Sequence, residues 1–365
     1  MRTKQLFIIQ MMTAAALLSS CSSDDNFTAE GMGNDSQTVA DVVPMPILLG
    51  VSPNSIEMTR GTGTVGDIEG EATNVWKGEK INVLMLNQGM ITPTQFEGAP
   101  ICVDDTFALP VGSASGAATP VDGKFRYFPA TGCSDFWAYR LDDAKDVQLT
   151  QTASAWKAIF QIDGSQDIMV AKAVPSVEDL NKLGKNKKSW YYSAYSAHHN
   201  VNPNFTFRHL LTRLTFTVTP ITDIAVGIQV DSVKVLTYTK GTLTVAATDD
   251  VAGEKQAIAW NTSIPRDTVL LKQRASAGSP LVECSPVLLA SKDTPQPVVE
   301  ALLVAPDTEY KVRVCFHQGT QAYYCEETVT QEGNALFEAG TSYNVQIRLK
   351  GYGASARVCS QYWDD

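Results

Sequence analysis

Few side chains in this 365-residue sequence have the type and spacing that chemistry needs. Its four histidines are His198, His199, His209 and His317. His198 and His199 are adjacent, so on a strand they face opposite ways and cannot share a metal ion. His209 stands just before a strongly alternating stretch and reads as a structural residue. Gly61, Gly63 and Gly66 have the spacing of a dinucleotide fingerprint, but that turn must open a helix, and Asp67 to Asn74 offers no helical period. The chain has no HExxH pair, Walker loop or GxSxG elbow. The acid pairs Asp104-Asp105, Asp142-Asp143 and Asp249-Asp250 read as solvated turn formers, with no EF-hand spacing around them. The expectation is therefore no catalytic residue, no metal site and no cofactor.

Cysteine is the informative type. Arg2 and Lys4 precede an apolar stretch, Leu6 to Leu18, too short to span a bilayer comfortably, and Leu18-Ser19-Ser20-Cys21 follows. This is the layout of a secretory signal over residues 1–20. The closing tetrapeptide resembles a bacterial lipobox, which makes Cys21 the expected lipidation site; two or more acyl chains there would anchor stably. The polar, acidic Ser22-Ser23-Asp24-Asp25 resembles a surface-export signal. Six cysteines remain, with 15 possible connectivities outside the cytosol. Cys315 and Cys325, ten residues apart across an expected hairpin, are the first candidate disulfide, and Cys102 with Cys133 the second. None has the close paired spacing of a zinc site.

Removing Arg2 and Lys4 leaves 27 basic against 39 acidic side chains, a balance that excludes a nucleic-acid partner. About 340 residues after the signal suggest two domains. Residues 22–43, rich in Ser, Thr, Asp, Asn and Gly, read as a tether. Ile47-Leu48-Leu49-Gly50-Val51 is a short apolar strand, followed by a polar loop that carries Arg60.

Beyond it the chain alternates with period two. Ile81, Val83 and Met85 share one face; Phe136, Ala138 and Arg140 oppose Trp137 and Tyr139; Ala158, Phe160 and Ile162 follow. Leu214, Phe216 and Val218 oppose Thr215, Thr217 and Thr219, and the same period returns at Tyr310 to Phe316 and at Tyr343 to Leu349. Such stretches, broken by Gly, Pro, Asp and Asn, are half-buried strands. Helical signal is confined to a capped segment from Ser176 to about Leu183. The expected fold is all-β: two antiparallel β-sandwiches in tandem, transthyretin-like or immunoglobulin-like Greek keys, over 61–203 and 204–365. Of six tryptophans, most are expected in the core; Trp190-Tyr191-Tyr192 is the expected exposed aromatic cluster.

Several stretches, in order, carry a resemblance. Gly78-Glu79-Lys80-Ile81-Asn82-Val83 is similar to a strand that follows a G-D-x-I-x-V turn, with Glu79 replacing the Asp. Phe125 to Pro129 and Asp135-Phe136-Trp137-Ala138-Tyr139 are similar to a Y-Y-P … D-F-x-A-Y pair. Asp167-Ile168-Met169, with Phe205 to Val218 including His209 and Leu210, is similar to D-I-M … F-x-H-x-L. Ala339-Gly340 to Tyr343 and the final Trp363 are similar to a closing aGxxY … W. Together with the lipobox, these resemble the Bacteroidetes-type fimbrillin family, the type V pilins.

The resemblance implies a mechanism. Precursors of that family are outer-membrane lipoproteins, cut by a trypsin-like or Arg-specific protease in a loop near the start of the first domain. Loss of the N-terminal strand opens a groove that a C-terminal segment of another subunit fills. On this chain the cut falls between Arg60 and Gly61, and the removable strand comprises Ile47, Leu48, Leu49 and Val51. Four or five buried aliphatic side chains there would contribute roughly 6 to 15 kcal/mol. The donor candidates are Val358, Tyr362 and Trp363, in a segment of incomplete alternation that leaves shaft, tip and anchor roles open. The implied function is a structural fimbria subunit supporting adhesion, with other pilin subunits, the outer membrane and host or bacterial surface ligands as partners. The alternative is a surface lipoprotein that does not polymerise and binds glycans.

Overall fold

A computed structural model of the chain describes residues 45–52, 76–96, 99–100, 103–273, 282–351 and 354–362, all within one unit, Val42–Asp365. The period-two alternation becomes strands almost wherever it occurs. In Thr212–Pro220, burial alternates residue by residue, with Leu214, Phe216 and Val218 inside and the threonines between them half-exposed. β-Branched and aromatic side chains on one face of a pleat can pack only against another such face, so the strands collect into facing sheets.

The C-terminal part is a sandwich of two such sheets. One has the spatial order Gln296–Val304, Thr212–Pro220, Thr341–Leu349, Ala354–Tyr362; the other runs Asp267–Leu270, Gln229–Thr237, Glu309–Gln318, Gln321–Thr330. Their inner faces supply one continuous core, including Leu214, Phe216, Val235, Val314, Phe316, Val345 and Ile347.

The N-terminal part is built on an eight-stranded sheet. Its order is Asn204–Phe205, Leu49–Val51, Gly116–Pro120, Val103–Ala108, Lys80–Asn87, Ser134–Arg140, Met169–Lys172, Arg208–His209. The first and last strands are pieces of one segment, residues 204–209, so the sheet curls until its two edges meet there. Inside the curl lie Ile47, Leu49, Val51, Ile81, Val83, Met85, Phe107, Phe128, Phe136 and Phe205. Outside it, Leu84, Leu86, Trp137, Tyr139 and Val170 pack on Ala158, Phe160, Leu243 and Val245 of a second sheet. The strand Ser134–Arg140 is therefore buried at every position, because it has a core on each face.

That second sheet runs Lys145–Gln151, Ala155–Gln161, Lys240–Ala247, Ile258–Trp260. Its last two strands come from beyond residue 204 yet hydrogen-bond, through Lys240–Ala247, to Ala155–Gln161. Among the described residues, pairing is antiparallel except at two places: Leu49–Val51 with Asn204–Phe205, and Thr212–Pro220 with Thr341–Leu349. Both join segments far apart in sequence, as parallel pairing requires. The helix Val177–Lys182 has a capping box made by Ser176 and Asp179.

Candidate functional site

The short N-terminal strand has a definite slot. Leu49, Gly50 and Val51 lie antiparallel to Ala118, Ala117 and Gly116, while Gly50 and Val51 lie parallel to Asn204 and Phe205. The Gly50 amide donates to the Pro203 carbonyl (3.0 Å) and the Ser52 amide to the Phe205 carbonyl (3.0 Å). Further upstream, the Ile47 amide donates to the Arg126 carbonyl (2.7 Å), and the Phe128 amide donates back to Met45 (2.9 Å). Arg126 is itself fixed: its Nε donates to Asp105 (2.8 Å) and its Nη2 to Asp122 (3.1 Å). These bonds, chiefly the one to Asp105, push the guanidinium further above its ordinary range.

Alternation decides what the slot holds. Ile47, Leu49 and Val51 point into the curl and are buried, whereas Leu48 points out and is 51% exposed. The strand thus buries three aliphatic side chains, not four or five, and the expected gain falls to roughly 5 to 9 kcal/mol. Gly50 faces Asn204 so closely that a Cβ there would meet Asn204 Oδ1 at 2.9 Å. Asn204 Nδ2 in turn donates to Ser52 Oγ. The walls of the slot, Gly116–Pro120 and Asn204–Phe205, carry no periodic signal of their own; residues 196–204 read as a polar link in the sequence.

The candidate donor segment lies in its own sheet. Ala354–Tyr362 pairs antiparallel with Thr341–Leu349 over nine residues, which sets Val358 opposite Val345 and Tyr362 opposite Thr341. It is the end strand of that sheet, hydrogen-bonded along one side. Trp363, Cys21, Cys102, Arg60 and Gly61 lie outside the described residues, as do Gly63 and Gly66.

The first candidate disulfide is corrected. Cys315 stands opposite Tyr324 and Cys325 opposite Val314, so neighbouring positions on the hairpin send the two sulfurs to opposite faces. Cys325 packs against the core, where burial pushes its thiol up to about 11, and Cys133, Cys315 and Cys325 are free. Burial, with the Asp135 carboxylate second, also raises Cys133. Raised thiols are poor nucleophiles.

Three of the four histidines are tied to neighbouring groups. His209 Nδ1 lies 2.8 Å from Asp167 Oδ1, both buried, and this contact ties the closing segment 204–209 to the strand beside it. Arg140 reaches the same cluster, with Nη2 donating to Asp142 (2.8 Å) and Nη1 3.8 Å from Asp167. Burial raises Asp142. His317 Nδ1 sits 2.6 Å from Asp231, and His199 Nδ1 2.8 Å from the Tyr195 carbonyl. Asp104, Asp142 and Asp249 each adopt positive φ (58°, 53° and 56°), the left-handed conformation of turn residues. Asp163 is held low: burial alone would raise it, but bonds from Lys272 (2.9 Å), Ser165 (2.6 Å) and Gln166 (3.0 Å) outweigh that. Of the aromatic cluster, Trp190 is 43% exposed under Lys187, while Tyr192 is buried.

Among the described residues, no group of three or more acids, histidines and cysteines is placed to hold a metal ion, and no helix is long and apolar enough to cross a membrane. A search of curated proteins finds no match. Among solved structures the chain is similar to a candidate cell adhesion protein of Bacteroides uniformis ATCC 8492, at 16% identity and a TM-score of 0.46, over 88% of this chain and 98% of that one. A candidate cell adhesion protein of Bacteroides ovatus ATCC 8483 shares 13% identity at a TM-score of 0.48, over the same proportions. The fimbrial anchor protein Mfa2 of Porphyromonas gingivalis shares 10% at 0.33, over 87% of this chain and 98% of that one. The profile of the family described as fimbrillin-like matches residues 70–359, which include the greater part of both sheet systems, and the chain belongs to the fimbrillin-like family.

Proposed function

We propose that the chain is a structural subunit of a cell-surface fimbria, exported as a lipoprotein through Cys21 and assembled by exchange of the Leu49–Val51 strand for a strand of another subunit. Family membership supports the fimbrial role. The observation that carries the exchange reading is the slot itself. The segment Ile47 to Val51, whose last three residues form a strand flanked on both sides by hydrogen-bonded neighbours, buries three side chains and leads directly into the segment that carries Arg60 and Gly61. Cutting there leaves the strand held to the body of the subunit by non-covalent contacts alone. Its departure bares a groove lined by Phe107, Phe128 and Phe205 and two unpaired strand edges, which template a replacement.

The replacement must run antiparallel to Gly116–Pro120, present apolar residues at alternate positions, and place a small residue against Asn204. Ala354–Tyr362 is the candidate donor, and it has to leave Thr341–Leu349 to serve. The partners are other pilin subunits and the outer membrane, with adhesion to host or bacterial surfaces as the outcome. The division into two sandwiches is drawn near residue 204, with Lys240–Trp260 lent to the first. The test is intact mass and N-terminal sequencing of protein recovered from the cell surface. Polymer whose chains begin at Gly61 is the expected result; polymer built from chains that still begin at Cys21 would sink the exchange mechanism.

A further inference from the structure

Charge is spread unevenly along this acidic chain. The whole sequence holds 39 Asp and Glu, yet none falls between Leu180 and Thr222, and Lys182, Lys185, Lys187 and Lys188 stand near the start of that stretch. Lys182 is matched by Asp179 (2.9 Å) and Glu178 (3.7 Å). The other three lysines form no ion pair among the described residues, and Lys188 Nζ has a neutral acceptor, Asn181 Oδ1, at 3.3 Å. Gly184, at φ 77°, turns the chain here, and the Lys187 amide closes the turn on the Gly184 carbonyl at 3.3 Å. Lys185 and Lys188 are exposed on either side of Lys187.

This turn lies against aromatic rings. Lys187 Nζ sits 4.4 Å over the Trp190 ring and 4.5 Å over the Tyr195 ring. Trp190 meets Tyr195 edge-on at 5.7 Å between centroids, and Tyr195 meets His199 at 4.3 Å, so the three rings form a row. Local bonds fix it. The Trp190 amide donates to the Lys187 carbonyl (2.9 Å), Tyr195 Oη donates to the Leu183 carbonyl (3.4 Å), and His199 Nδ1 lies against the Tyr195 carbonyl. Trp190 and His199 are exposed and Tyr195 is half-buried, so the row is open to a partner.

Chemistry narrows what that partner is. Ammonium groups without carboxylates select an anion. An anionic bilayer would face a whole side of a chain whose net charge is -10. A narrow polymer feels only the charges within a Debye length, about 8 Å at physiological salt. An acidic peptide pairs with the lysines and leaves the rings without a role. A chain of pyranose rings bearing sulfate or carboxylate uses both, with C–H faces on the aromatic rings and charged groups at the ammonium groups.

We propose that the lysines of this turn and the rings of Trp190, Tyr195 and His199 form a docking surface for an acidic polysaccharide. The inference rests on the adhesive role proposed above only for its purpose. The surface belongs to the uncut monomer and is independent of strand exchange. Calorimetric titration of the mature chain, residues 22–365, with a heparin hexasaccharide and a galacturonate hexamer tests it. Saturable binding of at least one is expected, weakening as salt rises from about 0.02 M to about 0.2 M, while a neutral dextran hexamer stays unbound. The triple variant Lys185→Gln, Lys187→Gln, Lys188→Gln should weaken binding about 10-fold or more. Trp190→Ala should weaken it about 3-fold or more and leave any binding of polyglutamate unchanged. Lys311→Gln, on the C-terminal sandwich, should change nothing. Circular dichroism checks that each variant keeps its fold. Two silent titrations, or a triple variant that binds like wild type, overturn the proposal. Polyglutamate or an oligothymidylate of equal charge binding as tightly as the saccharides also overturns it, because the surface would then read charge alone. Failure of fibre assembly leaves these titrations as they are.

Discussion

The strands Leu49–Val51 and Ala354–Tyr362 stand near opposite ends of the described chain, and they are held by opposite means. The first is three residues long, lies between two neighbours and sends Leu49 and Val51, with Ile47 just ahead of it, into a core. The second is nine residues long and, among the described residues, pairs along one side only. Side-chain burial is lost all at once when a short strand leaves, whereas a one-sided ladder can open from its end, pair by pair. A subunit that must shed one strand and lend another would need this contrast: a plug that holds until it is cut, and a donor that peels.

The largest test of the contrast is Leu49→Ala. It should cost about 2–5 kcal/mol in denaturant unfolding, because a side chain inside the curl is lost and the site is closed on both sides. An effect under 1 kcal/mol, roughly, would mean the plug is not held by burial. Asp163→Asn comes next, at about 1–3 kcal/mol, since Lys272 loses the charged oxygen it bonds while the amide oxygen that remains can still serve Ser165 and Gln166. Its carboxyl is depressed in the folded chain, so its contribution is present above the unfolded value near pH 4 and fades as pH falls below it. Wild type should therefore lose stability to acid more steeply than Asp163→Asn, with neither strand singled out. If acid instead released one strand selectively, the contrast would have an electrostatic origin.

Asn204→Ala should cost less, about 0.5–1.5 kcal/mol, through the lost bond to Ser52 Oγ. It also makes room beside Gly50, so Gly50→Ala should be tolerated better in that background than in wild type, a non-additivity that a double-mutant cycle measures. Leu48→Ala, on the outward face of the same strand, should stay within about 0.5 kcal/mol. Equal losses at Leu48 and Leu49 would contradict the alternation on which the slot rests.

The sandwich strands were legible because each carries its own period. Thr212–Pro220 and Thr341–Leu349 show it residue by residue, and the Ser176 capping box announces its helix. The helix Ala194–His198 escaped, since five residues are too few for a period and its cap uses two serines, Ser193 and Ser196, with no acid in the first turn. Register escaped as well. The pairing of Val51 with Phe205, and of Trp137 with Lys172, joins residues whose local sequences say nothing of each other. The Cys315–Cys325 pair failed for the same reason: a spacing of ten fits a hairpin, but the turn Gln318 to Gln321 fixes a parity that separates the two sulfurs. The run of lysines before Trp190 was readable; that Lys187 lies over both Trp190 and Tyr195 was not.

The covalent link between the plug and its slot has a consequence for timing. Twenty-four residues separate Val51 from Trp76, where the described chain resumes. A covalent link keeps the strand near the slot, so its re-entry is intramolecular, whereas free copies of another strand must meet the slot from dilute solution. While the link is whole, the chain's own strand wins the competition even against a segment of better fit. Severing it leaves both contenders to meet the slot from solution, and the outcome then follows intrinsic affinity and supply. The decision to polymerise would in that case reside in a single peptide bond rather than in any change of the slot.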